Sequence, residues 1–186
     1  VRNTAASSSV LPKALYECNL LHDFWKQDDS DDDRNGTSIN ISELVCLDGL
    51  GMIFKTFKNG VEEGSFVLYH SNGQFEQKGK YLNGKPDSLV ISYDREGGKR
   101  KEIHYSNGLR NGSSTLYHIN GQIAEKSNFI AGFRDGEKIT YTLEGQAIEK
   151  SFYKKGQIDG ESIIYTMRGK PLEIKTFKNG ALNGPY

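Results

Sequence analysis

The sequence predicts an all-β protein: one elongated, single-layer antiparallel sheet built from tandem β-hairpins. Three observations carry that expectation. Glycine recurs every 24 residues, two aromatic columns keep the same period, and no part of the array has the three-to-four residue apolar spacing of a helix. The first glycine column is Gly36, Gly60, Gly84, Gly108, Gly132, Gly156 and Gly180. The second is Gly49, Gly73, Gly97, Gly121, Gly145 and Gly169. The third is Gly64, Gly112, Gly136, Gly160 and Gly184, with Asn40 and Ser88 in its two gaps.

The aromatic columns follow the same ruler. One runs Phe57, Tyr81, Tyr105, Phe129, Tyr153 and Phe177; the other runs Tyr69, Tyr93, Tyr117, Tyr141 and Tyr165, with Val45 at its head. The array therefore covers residues 33–186, with units starting at 33, 57, 81, 105, 129 and 153 and a partial one at 177. Asp33 replaces the aromatic in the first unit, as expected of an atypical terminal repeat.

The unit that starts at Tyr105 shows how each reads as a hairpin. Ser113 to His118 has the β-branched and aromatic content of a strand. Asn120-Gly121 is a hairpin-turn signal, because both residues tolerate positive φ. Gln122 to Phe129 is the return strand, and Ile130 to Gly136 is expected to connect to the next hairpin. Thirteen strands spaced by about 4.8 Å would make a sheet about 60 Å long.

Val67, Ile91, Thr115, Ile139 and Ile163 precede the repeat tyrosine by two and share its face. With the rings they are expected to form a structural ladder, each repeat packing on its neighbour. Glu125-Lys126 and Glu149-Lys150, on the return strands, read as solvated surface.

Residues 1–32 leave the ruler. Leu11, Leu15, Cys18, Leu21 and Trp25 recur at helical spacing. They point to a short amphipathic helix that caps the open sheet edge, followed by an acidic linker. A partner-binding helix is the other reading of the same segment. Cys18 and Cys46 are the only cysteines: one disulfide if the protein is exported, two free thiols if it is not. The start at Val1 fits a cleaved export signal or a trimmed chain, and the expectation leans to a periplasmic or exported location.

The repeat resembles the MORN-repeat variant of bacterial proteins. The resemblance covers about residues 33 to 186 and rests on Tyr105-Ser106-Asn107-Gly108, Asn111-Gly112 and Tyr117-His118-Ile119-Asn120-Gly121, recurring in tandem. It implies a single-layer sheet of hairpins and a scaffold role. Many bacterial proteins of this type carry the label of YwqK-like antitoxin of a toxin–antitoxin system, and some similar repeat proteins look like immunity partners of secreted toxins. Eukaryotic relatives are linked to membrane attachment and dimer scaffolds. The motif fixes a fold rather than a binding residue, so no functional position carries over.

Other motifs are explained more simply. Asp31, Asp33, Asn35 and Gly36 match the start of a calcium loop, but its twelfth position is Ser42, so a solvated acidic linker is the better reading. His70 and His118 occupy the same repeat position two units apart, too far to share a metal ion, and read as surface histidines beside a turn. The sequons at Asn35, Asn40 and Asn111 follow from the repeat. No catalytic arrangement or phosphate loop stands out, and no cofactor is expected.

Lys plus Arg equals Asp plus Glu at 24 each, which argues against a nucleic-acid partner. No run is long and apolar enough for a transmembrane helix. The expected function is a protein-binding scaffold without enzymatic activity, of the antitoxin or immunity type. A membrane-surface or cell-envelope scaffold is the alternative. The partner-binding candidates vary between repeats: Phe133 and Arg134 first, then Leu109, Arg110 and Ile158.

Overall fold

The computed structural model describes residues 40–47 and 51–184, and side chains from Met52 to Gly184. The expected helix cap, and Cys18 with its disulfide to Cys46, lie outside the described residues. All described structure is β. The strands are β1 (Asn40–Leu47), β2 (Gly51–Lys58), β3 (Val61–Tyr69), β4 (Phe75–Leu82), β5 (Lys85–Tyr93), β6 (Lys99–Ser106) and β7 (Leu109–Tyr117), then β8 (Ile123–Ile130), β9 (Phe133–Tyr141), β10 (Ala147–Lys154), β11 (Gln157–Tyr165), β12 (Pro171–Lys178) and the two-residue β13 (Ala181–Leu182). They form one open sheet in strict sequence order, each strand antiparallel to the next.

Turns of two kinds alternate along the chain. Even-to-odd connections are two-residue turns with positive φ at each central residue: Asn59-Gly60, Asn83-Gly84, Asn107-Gly108, Ala131-Gly132, Lys155-Gly156 and Asn179-Gly180. This is the type I′ hairpin, whose twist matches that of the flanking strands. Odd-to-even connections are longer. Between β3 and β4, Gly73 N–H donates to the His70 carbonyl at 2.9 Å and His70 N–H to the Gln74 carbonyl at 2.8 Å, with positive φ at Gly73 alone. Asn120-Gly121 belongs to this second kind, so the both-positive turn falls at Ala131-Gly132 instead. The predicted seven-residue connection is thus two residues, and Phe133 to Gly136 is already strand.

The five type I′ turns from Asn83-Gly84 onward are each stapled to the preceding hairpin. The glycine N–H of each donates to a backbone carbonyl of the previous unit: Gly84 to Glu62, Gly108 to Pro86, Gly132 to Arg110, Gly156 to Arg134 and Gly180 to Ile158, all at 2.8–2.9 Å. The N–H one residue earlier finds a side-chain oxygen: Asn83 on Glu63, Asn107 on Asp87, Ala131 on Asn111, Lys155 on Asp135 and Asn179 on Asp159. These column positions satisfy turn donors that would otherwise depend on water.

The opposite edge has its own ties, and they recur every second hairpin. His70 Nε2 lies 3.1 Å from the Tyr93 carbonyl, and His118 Nε2 lies 2.9 Å from the Tyr141 carbonyl. Asn72 and Asn120 each donate at 2.6 Å, to the Arg95 and Leu143 carbonyls. The two histidines are half-buried latches between hairpins rather than free surface residues.

The two aromatic columns lie on opposite faces. The tyrosine column shares the front face with Val67, Ile91, Thr115, Ile139 and Ile163; Tyr69 and Tyr93 flank Phe75 there at 5.2 and 6.1 Å between ring centroids. The column from Phe57 to Phe177 lies on the back, where Tyr81 meets Phe66 at 4.6 Å. The packed midline is on that back face too: Phe66, Val90, Ile103 and Phe129, with Ser114, Ser127 and Ser151, are all buried. The front-face positions expected to form the ladder are only half-buried.

Candidate binding surfaces

Neighbours in a strand point to opposite faces, and this separates the predicted partner-binding residues. Leu109 and Phe133 project from the front, 53% and 61% exposed. Leu109 covers the turn at Gly132, and Phe133 covers the turn at Gly156. Ile130, 54% exposed, is the direct cross-strand partner of Phe133, so Leu109, Ile130 and Phe133 form one apolar ridge beside the type I′ edge. The sequence does not mark Ile130 as a binding residue, because it closes a return strand that otherwise reads as polar.

Arg110, Arg134 and Ile158 belong to the back. Arg110 and Arg134 stack on the Phe129 ring at 5.2 and 5.6 Å, and Arg134 also lies 5.9 Å from the Tyr153 ring. Arg134 Nη2 donates to Glu125 Oε1 at 2.8 Å, and Ser127 Oγ donates to the same oxygen at 3.1 Å. Glu125 is therefore 15% exposed rather than solvated. Glu149, also expected to be solvated, accepts from Ser151 at 2.8 Å and from Lys138 at 3.1 Å. Burial alone would raise the Glu149 carboxyl, but these two donors hold it below its ordinary value. Arg134 Nε and Thr140 Oγ1 are buried without a hydrogen-bond partner. Ile158 is half-buried, and its carbonyl serves the turn at Gly180.

The front face carries a second feature over Gly79. A shallow depression of about 360 Å³ opens between β3, β4 and β5, with an apolar floor that includes Val67, Leu89 and Ile91. Lys78, Lys80 and Ser65 line it as well. Behind it, a Cβ on residue 79 would lie 2.9 Å from Phe66 and Val90 atoms, so only glycine lets those two side chains close the back midline. Further along the front face, Glu102 accepts from the Tyr117 hydroxyl and pairs with Lys99 at 2.6 Å. The Lys99 and Tyr117 hydrogen bonds hold the Glu102 carboxyl below its ordinary range.

No cluster of metal-ligating side chains occurs among the described residues, and no described helix is long and apolar enough to cross a membrane. No known family model matches the sequence, and no curated protein matches it. Among solved structures, the chain is similar to the crystal structure of a GtfA/B complex bound to UDP and GlcNAc. That similarity is at 18% identity and a TM-score of 0.21, and it covers 75% of this chain and 24% of the other. The chain thus spans about a quarter of the protein it matches.

Proposed function

We propose that this chain is a protein-binding scaffold of the antitoxin or immunity type, which holds its partner against the front face of the sheet. The observation that carries this reading is the contiguous apolar ridge of Leu109, Ile130 and Phe133, three large side chains each more than half exposed on a stapled backbone. Exposed apolar residues in a cluster, unlike single ones, mark surfaces that a partner covers. A rigid sheet also presents them with little ordering cost on binding. The resemblance to bacterial MORN-type repeats supports the antitoxin class.

The test places a photo-crosslinking phenylalanine analogue at position 133, with a control at the exposed Glu144, in cells that naturally make the protein. The expected result is a covalent adduct with one protein at 133 and none at 144. That protein, expressed alone, should arrest growth, and co-expression of this chain should relieve the arrest. Phe133→Asp should weaken the purified complex at least tenfold. An adduct pattern equal at the two positions, or unchanged affinity, would overturn the reading.

A further inference from the structure

We propose that the depression over Gly79 is a docking point for an acidic, apolar-flanked segment of a protein partner. This rests on the scaffold reading and names the chemistry of the partner it would take. Lys78 and Lys80 stand two apart on β4 and so share the front face. Neither forms an ion pair among the described residues. Two other lysines on this face are matched: Lys99 by Glu102 at 2.6 Å, and Lys150 by Glu137 at 2.5 Å.

Lys78 is also held in place. Its ammonium sits 5.2 Å from the Phe75 ring and 5.3 Å from the Tyr93 ring, with the rings flanking it. A cation fixed in this way loses little side-chain freedom when a carboxylate arrives. The repeat ruler shows that the arrangement is local. The positions equivalent to Lys78 and Lys80 are Glu102 and His104, Lys126 and Asn128, and Lys150 and Phe152 in the next three units. Only this unit places two lysines there.

Beside the cations lies the apolar floor of Val67, Leu89 and Ile91. Ser88 contributes to the same wall. It stands in the third glycine column at φ 63°, where the neighbouring units have glycine. A fully apolar ligand would leave the lysines unpaired, and a bare anion would leave the floor exposed. A carboxylate side chain next to an aromatic or aliphatic one satisfies each part. The depression is too open to enclose a free small molecule, whereas a peptide segment lying along the sheet needs no enclosure.

The test uses a fluorescein-labelled pentapeptide with phenylalanine flanked by aspartates, and its asparagine counterpart, in anisotropy titrations against the full chain. The aspartate peptide should bind at least tenfold tighter than the asparagine one, and this preference should shrink as salt is raised. Lys78→Gln with Lys80→Gln should abolish the preference, whereas Lys126→Gln, on the same face two units away, should not. Ser65→Phe, which fills the depression without touching the charges, should weaken binding of the aspartate peptide. Equal binding of the two peptides, or a preference that survives the double lysine variant, would overturn the proposal. If the protein captured through position 133 binds the double variant unchanged, the docking point is wrong and the scaffold reading stands. If the peptide preference holds but position 133 captures nothing, the reverse follows.

Discussion

Asp159 receives the backbone N–H of Asn179 at 3.0 Å, across 20 residues of sequence. Lys178 reaches the other carboxylate oxygen at 3.1 Å. The two bonds, the backbone one first, hold the Asp159 carboxyl below its ordinary value. Four earlier units make the same backbone contact from Glu63, Asp87, Asn111 and Asp135, and the staple tolerates acid or amide because either supplies an acceptor oxygen.

The type I′ turns give the first prediction. Ala131 and Lys155 hold φ of 48° and 50°, where four of the six turns have asparagine. Left-handed backbone costs an ordinary side chain about 1 kcal/mol, and asparagine less. Ala131→Asn and Lys155→Asn are each expected to stabilise the array by about 0.5–1 kcal/mol. Ser88→Gly, at φ 63°, should do the same. Denaturant melts measure all three; a lowered midpoint for every variant would contradict the turn geometry.

The back midline gives the second. Phe66 is 2% exposed and packs on Tyr81 across Gly79. Phe66→Ala should cost about 3–5 kcal/mol, and Gly79→Ala about 1–3 by overpacking. Tyr141→Ala, on the half-buried front, should cost clearly less than Phe66→Ala. The reverse order would move the core to the front face.

Glu125 supplies the third. Its removal strips an acceptor from Arg134, whose Nε already lacks a partner, and from Ser127. Glu125→Ala is expected to cost about 1–3 kcal/mol. The exposed Glu144→Ala should stay within about 0.5 kcal/mol. Equal melting midpoints for the two variants would dismiss the network.

The fourth concerns pH. Glu102 is held below its ordinary 4.5, so its contribution is complete above that value and is lost as pH falls through the lower folded-state value. Lys99 is raised from 10.5, chiefly by its hydrogen bond to Glu102, so its contribution is complete below 10.5 and is lost at higher pH. The difference in melting temperature between wild type and Glu102→Gln should therefore be flat between the ordinary carboxylate and lysine ranges and shrink as pH falls below 4.5. A difference that grows on acidification would reverse the sign of the linkage.

The sequence made the sheet legible because its period is carried by backbone requirements, and glycine at positive φ shows in composition. It concealed which face is packed. The buried midline column reads Phe66, Val90, Ser114, Lys138 and Ser162, so its apolar signal fades halfway along, whereas the front column keeps Val67, Ile91, Ile139 and Ile163. Serine at 0% exposure, as at Ser151, looks like surface in a list of residue types. Its burial comes from cross-strand neighbours set by register. The binding candidates were legible one by one. Their division between faces is hidden in the sequence, because glycines on both sides make Phe133 and Arg134 look like a connecting loop, where alternation does not apply.

The staples also have a direction. The type I′ turns from Asn83-Gly84 to Asn179-Gly180 each donate two backbone N–H groups to the unit before them in the chain. A protein made from its N-terminus onward therefore offers each newly emerged hairpin a finished row of acceptors. Growth at that end seals the previous edge strand as it proceeds, so the growing edge open to pairing with a foreign chain is always the newest strand.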